Sequence, residues 1–306
     1  MLRLLRISSE GTGYVYTNTR VRVMKSKLLS RDDFEKLMKM SIAEISRFLE
    51  EREYKKEFDE LGRLLSGTNL IEYALNRNLE DQFSSILKFS VRNAKEELAL
   101  YLKKFDIISI KTVLRGNISG IQDEIVANEL ITAGSLSKAF FKELLERTGN
   151  FEEVVEYLKN TEYYPILKKY RSDMPTLEDE LDKYYYDTLL KSVSRNLLEF
   201  IKHEITSKNM AIEARAKKHK VVFKKMRGGK SYSEDLYDSP ELRLKLRKDF
   251  VSRALKLISK FSHDITPVIA YFVAKENEVS NIRIIVRGKK AGLSEADMRH
   301  QLIIGE

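Results

Sequence analysis

A short pattern that recurs along the chain limits the fold more than any other feature. Asn281-Ile282-Arg283-Ile284-Ile285-Val286-Arg287-Gly288 has a counterpart in Ser109-Ile110-Lys111-Thr112-Val113-Leu114-Arg115-Gly116, with fainter versions at Asn209 to Ala216 and Asn18 to Lys25. The anchors at 18, 109, 209 and 281 lie 91, 100 and 72 residues apart, the mark of one structural unit written repeatedly. A second phrase also returns. Ser30, Phe34, Leu37 and Met38 are matched by Ser137, Phe141, Leu144 and Leu145 at an offset of 107. Glu44, Ile45, Phe48, Leu49, Glu53 and Tyr54 are then matched by Glu153, Val154, Tyr157, Leu158, Glu162 and Tyr163 at 109. A third start, Ser294-Glu295-Ala296-Asp297-Met298, follows the last anchor. Since 306 residues exceed what one core usually serves, three similar helical lobes are expected, at 1–105, 106–205 and 206–306, the last closing against the N-terminal segment.

The fold class predicted is all-α. Four prolines and thirteen glycines leave long stretches of Leu, Lys and Glu, which lose little rotamer freedom in a helix. Ser30-Arg31-Asp32-Asp33 and Ser41-Ile42-Ala43-Glu44 read as helix starts, because the serine oxygen can accept a free N–H of the first turn. Leu181 to about Ile205 reads as one helix, with Leu189, Val193, Leu197, Phe200, Ile201 and Ile205 at helical spacing behind a Pro175-Thr176-x-x-Asp179 cap. Ser239-Pro240 and Thr266-Pro267 place proline at a first helical position behind a capping hydroxyl. Pro267 to about Arg287 is expected to be one long helix, with a short strand at its Val/Ile-rich end as the alternative. Ser8 to Gly13 reads as a loop by its turn chemistry, and 221–237 as a mobile loop.

Residues able to do chemistry are scarce. The absence of cysteine removes disulfides, thiolate ligands and a thiol nucleophile. Gly229-Lys230-Ser231 resembles the end of a phosphate loop, but Lys224 stands where a small residue is needed; Gly11-x-Gly13 lacks the third glycine, position 16 being Tyr16. His203-Glu204 opens like a zinc-protease helix, yet the second histidine should fall at Ser207. The four histidines, His203, His219, His263 and His300, show no ligand spacing. Glu50, Glu51, Glu178, Asp179 and Glu180 read as solvated faces. No catalytic, cofactor-binding or metal-ligating residue is therefore assigned. Nothing approaches the ~20 apolar residues of a spanning helix, and Met1 to Arg6 is too short and charged for a signal segment, so a cytoplasmic protein is expected. Net charge is +9 with a pI near 9.3, and Arg215, Lys217, Lys218, Lys220, Lys224, Lys225, Arg227 and Lys230 form a run without an acid. With Phe223 and Tyr232 nearby, 215–230 supports a rival reading as a helical nucleic-acid binder; an acidic protein or lipid head groups would serve as well. Arg115, Arg215 and Arg287, at one position of the repeat, are expected to cap helix C-termini.

The repeat residues also carry a resemblance. Tyr14-Val15-Tyr16-Thr17-Asn18-Thr19-Arg20-Val21-Arg22-Val23-Met24-Lys25-Ser26-Lys27-Leu28-Leu29 resembles the N-terminal signature of the C subunit of archaeal A-type ATP synthases, relatives of the d subunit of vacuolar-type ATPases. Glu276-Asn277-Glu278-Val279-Ser280-Asn281-Ile282-Arg283-Ile284-Ile285-Val286-Arg287-Gly288-Lys289 is similar to that family's C-terminal pattern. Phe105 to Lys111 and Glu204 to Asn209 look like its internal copies, with Ser109 and Ala211 departing from the usual residues. The resemblance runs nearly end to end and is weakest at 221–237. It implies a pseudo-threefold funnel of helical lobes, one copy per complex, seated on the proteolipid ring (K or c ring) and receiving the central D and F shaft. It implies no cofactor and no nucleic acid, a non-catalytic role in passing torque, and a peripheral place on the cytoplasmic face of the cell membrane through the ring.

Overall fold

Local propensity and capping chemistry decide most of the secondary structure. The computed structural model describes residues 2–90, 92–171, 173–219, 225–229, 239–258 and 264–305, with the side chains of 2–13, 92, 93, 196, 215, 218 and 219 outside that description. Among the described residues every regular element is a helix. Helices α1 to α4 cover Leu2–Lys25, Arg31–Lys39, Ile42–Glu50 and Lys55–Leu61; α5 to α8 cover Gly67–Phe89, Arg92–Leu102, Lys104–Ile118 and Asp123–Glu129. Helices α9 to α12 are Lys138–Arg147, Phe151–Tyr157, Tyr164–Lys169 and Met174–Ser192; α13 to α16 are Arg195–His219, Pro240–Ile258, Thr266–Lys290 and Glu295–Gln301.

The serine-led starts form as expected. Ser30 and Ser41 each complete a reciprocal capping box, with Asp33 and Glu44, and Ser137, Ser239 and Ser294 each accept an N–H of the next turn. Phe34, Leu37 and Met38 of α2 and their counterparts Phe141, Leu144 and Leu145 of α9 are all buried. Four expectations are corrected. Ser8 to Gly13 lies inside α1 rather than in a loop: two glycines cost about 1 kcal/mol each, which does not stop a cooperative helix of 24 residues. The helix read from Leu181 to Ile205 is two helices, α12 and α13, and a fresh turn begins where Leu198 N donates to Ser194 O at 2.8 Å. Apolar spacing reports a buried face but is silent about a break along it. The two remaining corrections concern caps. Asp173, not Thr176, caps α12, accepting the Thr176 N–H at 3.2 Å and its hydroxyl at 2.5 Å. At α15 the N-cap is Ile265, which has no side-chain cap to offer; Thr266 is already helical and its N–H donates to Asp264 at 2.8 Å, so the expected hydroxyl cap is not made. Most of 221–237 lies outside the described residues.

The chain forms two compact units, Met1–Glu96 with Val193–Glu306, and Glu97–Ser192. In the first, α15 is the core element, with 18 of its 25 residues buried. A helix apolar on every side is one enclosed by neighbours; α15 packs on α1, α2, α5, α13, α14 and α16, and the Phe272 ring lies 4.2 Å from that of Phe83. This settles the helix-or-strand alternative at 281–287 as helix. In the second unit α7 has the same place, burying Phe105, Ile107, Ile110, Val113 and Leu114 against α8, α10 and α12. Among the described residues no helix is long and apolar enough to cross a membrane.

Candidate functional site

On each of the two core helices, buried polar side chains, Asn277, Glu278 and Asn281 of α15 and Asp106 and Ser109 of α7, hold the backbone of distant segments. In the first unit, α15 ends in a left-handed turn at Gly292 (φ 72°), where Leu293 N donates to Gly288 O at 2.9 Å, a helix termination for which glycine is the favoured residue. The chain then returns through α16. Asn281 clasps it at Ile303, accepting the Ile303 N–H at 3.1 Å and donating to its carbonyl at 2.8 Å, while Asn277 donates to that carbonyl at 2.7 Å. One turn upstream, Glu278 accepts from Leu29 N (2.5 Å), Tyr54 Oη (2.7 Å) and Lys275 Nζ (2.7 Å). Lys275, only 2% exposed, also donates to Tyr54 Oη at 3.1 Å and lies 4.3 Å from the centre of that ring.

The second unit repeats this arrangement at an offset of 172 residues. Gly120 (φ 63°) makes the turn, Ile121 N donates to Gly116 O at 2.9 Å, and Ser109 donates to Ile131 O at 3.1 Å. Asp106 takes the place of Glu278. It accepts from Ser135 N (2.9 Å), Ser135 Oγ (2.5 Å), Leu136 N (2.9 Å) and Tyr163 Oη (3.0 Å). The closing tyrosines of the two-helix phrase are thus the donors to the paired carboxylates. Burial first, and the adjoining carboxylate second, push both phenols well above their ordinary range, so each remains a proton donor. The fainter anchors behave alike. Asn209 accepts from Met226 N at 3.0 Å and donates to Met226 O at 2.9 Å, and Asn18 donates to Asp264 O at 2.9 Å. All four anchors therefore hold the backbone carbonyl of a distant segment, which explains why asparagine, able to donate and accept at once, dominates the position.

The recurring basic residues have a different task from the one expected. Arg115 and Arg287 do stand in last turns, but their guanidinium groups reach across to carboxylates of a neighbouring helix. Arg287 donates to Glu72 of α5 at 2.6 Å, and Arg283 donates to Glu72 at 2.8 Å and to Asn76. In the second unit Arg115 forks onto Glu178 of α12, with Nε at 2.5 Å, and Lys111 donates to Asp182 at 2.6 Å. Glu178 is accordingly part-buried rather than on a solvated face. The Arg215 side chain lies outside the described residues. Because the Arg287 side chain is 58% exposed and that of Arg283 only 22%, Arg287→Ala is expected to cost less than about 1 kcal/mol. Arg283→Ala should cost about 1–3 kcal/mol by orphaning part-buried acceptors. Thermal melts of the two variants check the order.

The turns are also tightly packed. A β-carbon at Gly116 would lie 2.4 Å from Val126 Cγ2, and one at Gly288 2.7 Å from the Met298 side chain. Gly116→Ala is expected to destabilise by about 1–3 kcal/mol, more than Gly288→Ala, because flexible methionine can yield where β-branched valine cannot. Val126→Ala added to Gly116→Ala should restore part of the loss in a denaturant titration.

The remaining sequence fragments gain no chemistry from their placement. Among the described residues no three His, Asp or Glu side chains are grouped to hold a metal. His203 stacks on Phe250 at 6.4 Å, while Lys230, Ser231, Phe223, Tyr232, His263 and the His219 side chain lie outside the description. Of the basic run, Lys225 and Lys217 both turn back to Glu213, at 3.0 and 3.8 Å. A cavity of about 10 Å³ lined by Leu100, Lys103, Ile107, Tyr163, Tyr184 and Tyr185 has room for a single water.

The described residues form an all-helical protein whose two core helices, α7 and α15, fix distant backbone segments through buried polar side chains. Comparison with known proteins says which kind. The family model described as ATP synthase (C/AC39) subunit matches residues 17–241 and 223–301. The C subunit of the A-type ATP synthase of Methanococcoides burtonii is 35% identical, covering 98% of this chain and 97% of its own length. That of Methanosarcina acetivorans is 34% identical, covering 96% and 93%, and that of Archaeoglobus fulgidus 31%, covering 95% and 96%. The chain belongs to the ATP synthase (C/AC39) subunit family, whose members are structural, non-catalytic subunits.

Proposed function

We propose that this chain is the central-stalk subunit of an A-type ATP synthase, joining the membrane proteolipid ring to the D and F shaft and passing torque between them. The observation that carries this reading is the end-to-end likeness to proteins named as the C subunits of A-type ATP synthases. The physics of the fold agrees with it. A part that transmits torque must resist bending, and here each core helix is tied to its neighbours by buried carboxylate and asparagine clasps and by guanidinium staples. Three related lobes at 1–105, 106–205 and 206–306 form a pseudo-threefold funnel in this proposal, a shape suited to a symmetric ring; the clasp built in 106–131 and again in 278–303 supports a common plan for the second and third of them. In this reading one copy sits peripherally on the cytoplasmic face of the membrane, held by the ring.

Pull-down of the full chain against the proteolipid ring, and separately against the D and F subunits, tests the proposal. Capture of both, and release from membranes when the peripheral sector is stripped, is the expected result. Failure to capture either would end the reading. Affinity for nucleic acid falling steeply with salt, and lost on Lys217→Glu with Lys225→Glu, would favour the binder instead.

A further inference from the structure

The two copies of the clasp serve as each other's control, because the same corner is built twice with different surfaces. Val126 and Leu130 are buried in the α7–α8 corner, as are Met298 and Leu302 at the matching positions of the α15–α16 corner; those sites the fold needs apolar. Two of the three outer positions differ in character. Ile118, Ile121 and Ile125 are 57%, 45% and 54% exposed, whereas the matching residues are Lys290, Leu293 and Asp297, also exposed. The fold therefore accepts lysine and aspartate where the α7–α8 corner has isoleucine. Three isoleucines together expose on the order of 300 Å², about the size of the largest apolar patch on an ordinary monomer, which is often a functional one.

Charge says what would cover it. Between Arg115 and Lys138 there is no basic residue, and Asp123, Glu124 and Glu129 are exposed, in a chain of net charge +9. An anionic bilayer would be repelled by that rim, and a second copy presenting the same corner would meet like charge. We propose that the α7–α8 corner is a docking surface for a protein partner whose apolar residues are flanked by lysine or arginine, another subunit of the ATP synthase. This rests on the function proposed above and adds to it the place and chemistry of one contact.

The test transplants the matching residues, Ile118→Lys with Ile125→Asp, a change that leaves net charge unaltered. A second variant, Asp123→Lys with Glu124→Lys, leaves the isoleucines intact. Each is reconstituted with the remaining subunits of the complex and its retention measured beside the wild type, with melting of the free protein as the check on folding. The isoleucine variant should melt within about 2 °C of wild type and the lysine variant a few degrees lower, because Asp123 and Glu124 stand in the first turn of α8; both should remain folded and be retained roughly tenfold less or worse. Retention equal to wild type in either variant overturns the proposal. So does wild-type uptake by anionic lipid vesicles, or a concentration-dependent dimer, that the isoleucine variant abolishes, since the occupant would then be lipid or a second copy. If the wild type itself fails to assemble, the functional reading falls and this one with it; if the wild type and the variants all assemble normally, this inference alone is lost.

Discussion

Glu278→Ala is expected to lower the melting temperature of the first unit by about 10 °C. The carboxylate is 4% exposed and has three donors, Lys275, Tyr54 and Leu29 N. Removing one partner of a buried ion pair costs about 3–5 kcal/mol, because the surviving charge is left in a medium that solvates it poorly. In a unit of this size each kcal/mol moves the midpoint by about 2–4 °C. Lys275→Met should cost less, since Glu278 keeps the tyrosine hydroxyl and the Leu29 N–H. The decisive comparison is the pair: Lys275→Met with Glu278→Gln should melt above Glu278→Ala alone, since no buried charge is left uncompensated. A Glu278→Ala protein melting within about 2 °C of wild type would show that the cluster is solvated and does not hold α15 to Leu29 and Tyr54.

What could be read from the sequence was what is encoded locally. Ser30, Ser41, Ser137 and Ser294 were legible as caps because the partner of each lies three residues on. The apolar stripes of α2 and α9 were legible because their period is that of the helix. Asp173 was missed as a cap, and Thr266 taken for one, because a threonine before or beside proline gives the same signal whether or not it caps, and only geometry decides. Glu278 and Asp106 were missed for a deeper reason. Each lies on a helix among charged residues and resembles a solvated acid until the chain brings a tyrosine from 224 or 57 residues away. A signal did exist. The tyrosines and the carboxylates each recur at fixed places in the repeat, and polar residues that repeat in step with an apolar pattern point to a shared buried bond. The guanidinium staples were hidden likewise, since Glu72 and Glu178 declare themselves only once α5 and α12 are seen to lie beside α15 and α7.

Asp106→Ala should be nearly as damaging in the second unit, and the sister position explains why the two need not fail alike. Where Glu278 has a lysine among its donors, Asp106 has two backbone N–H groups, a serine hydroxyl and the Tyr163 phenol. Alanine would strand those donors in a site where Asp106 is 1% exposed, and each buried unsatisfied group costs about 1–3 kcal/mol. A loss of about 3–5 kcal/mol is expected, seen as early melting of residues 97–192 by hydrogen exchange while the first unit keeps its protection. Tyr163→Phe, which takes one donor from Asp106 and leaves it the other three, should cost about 1 kcal/mol, and its pH dependence supplies a second check. The folded phenol is held above its ordinary value by burial and by Asp106, whereas an unfolded tyrosine ionises near pH ~10. The stability it contributes is therefore complete below about pH 10 and declines above it, as the unfolded chain sheds a proton that the folded one retains. Wild type should thus lose stability between about pH 10 and 11 faster than Tyr163→Phe. Parallel alkaline profiles would mean that the phenol is not confined with the carboxylate, and the second clasp would then be loose where the first is tight.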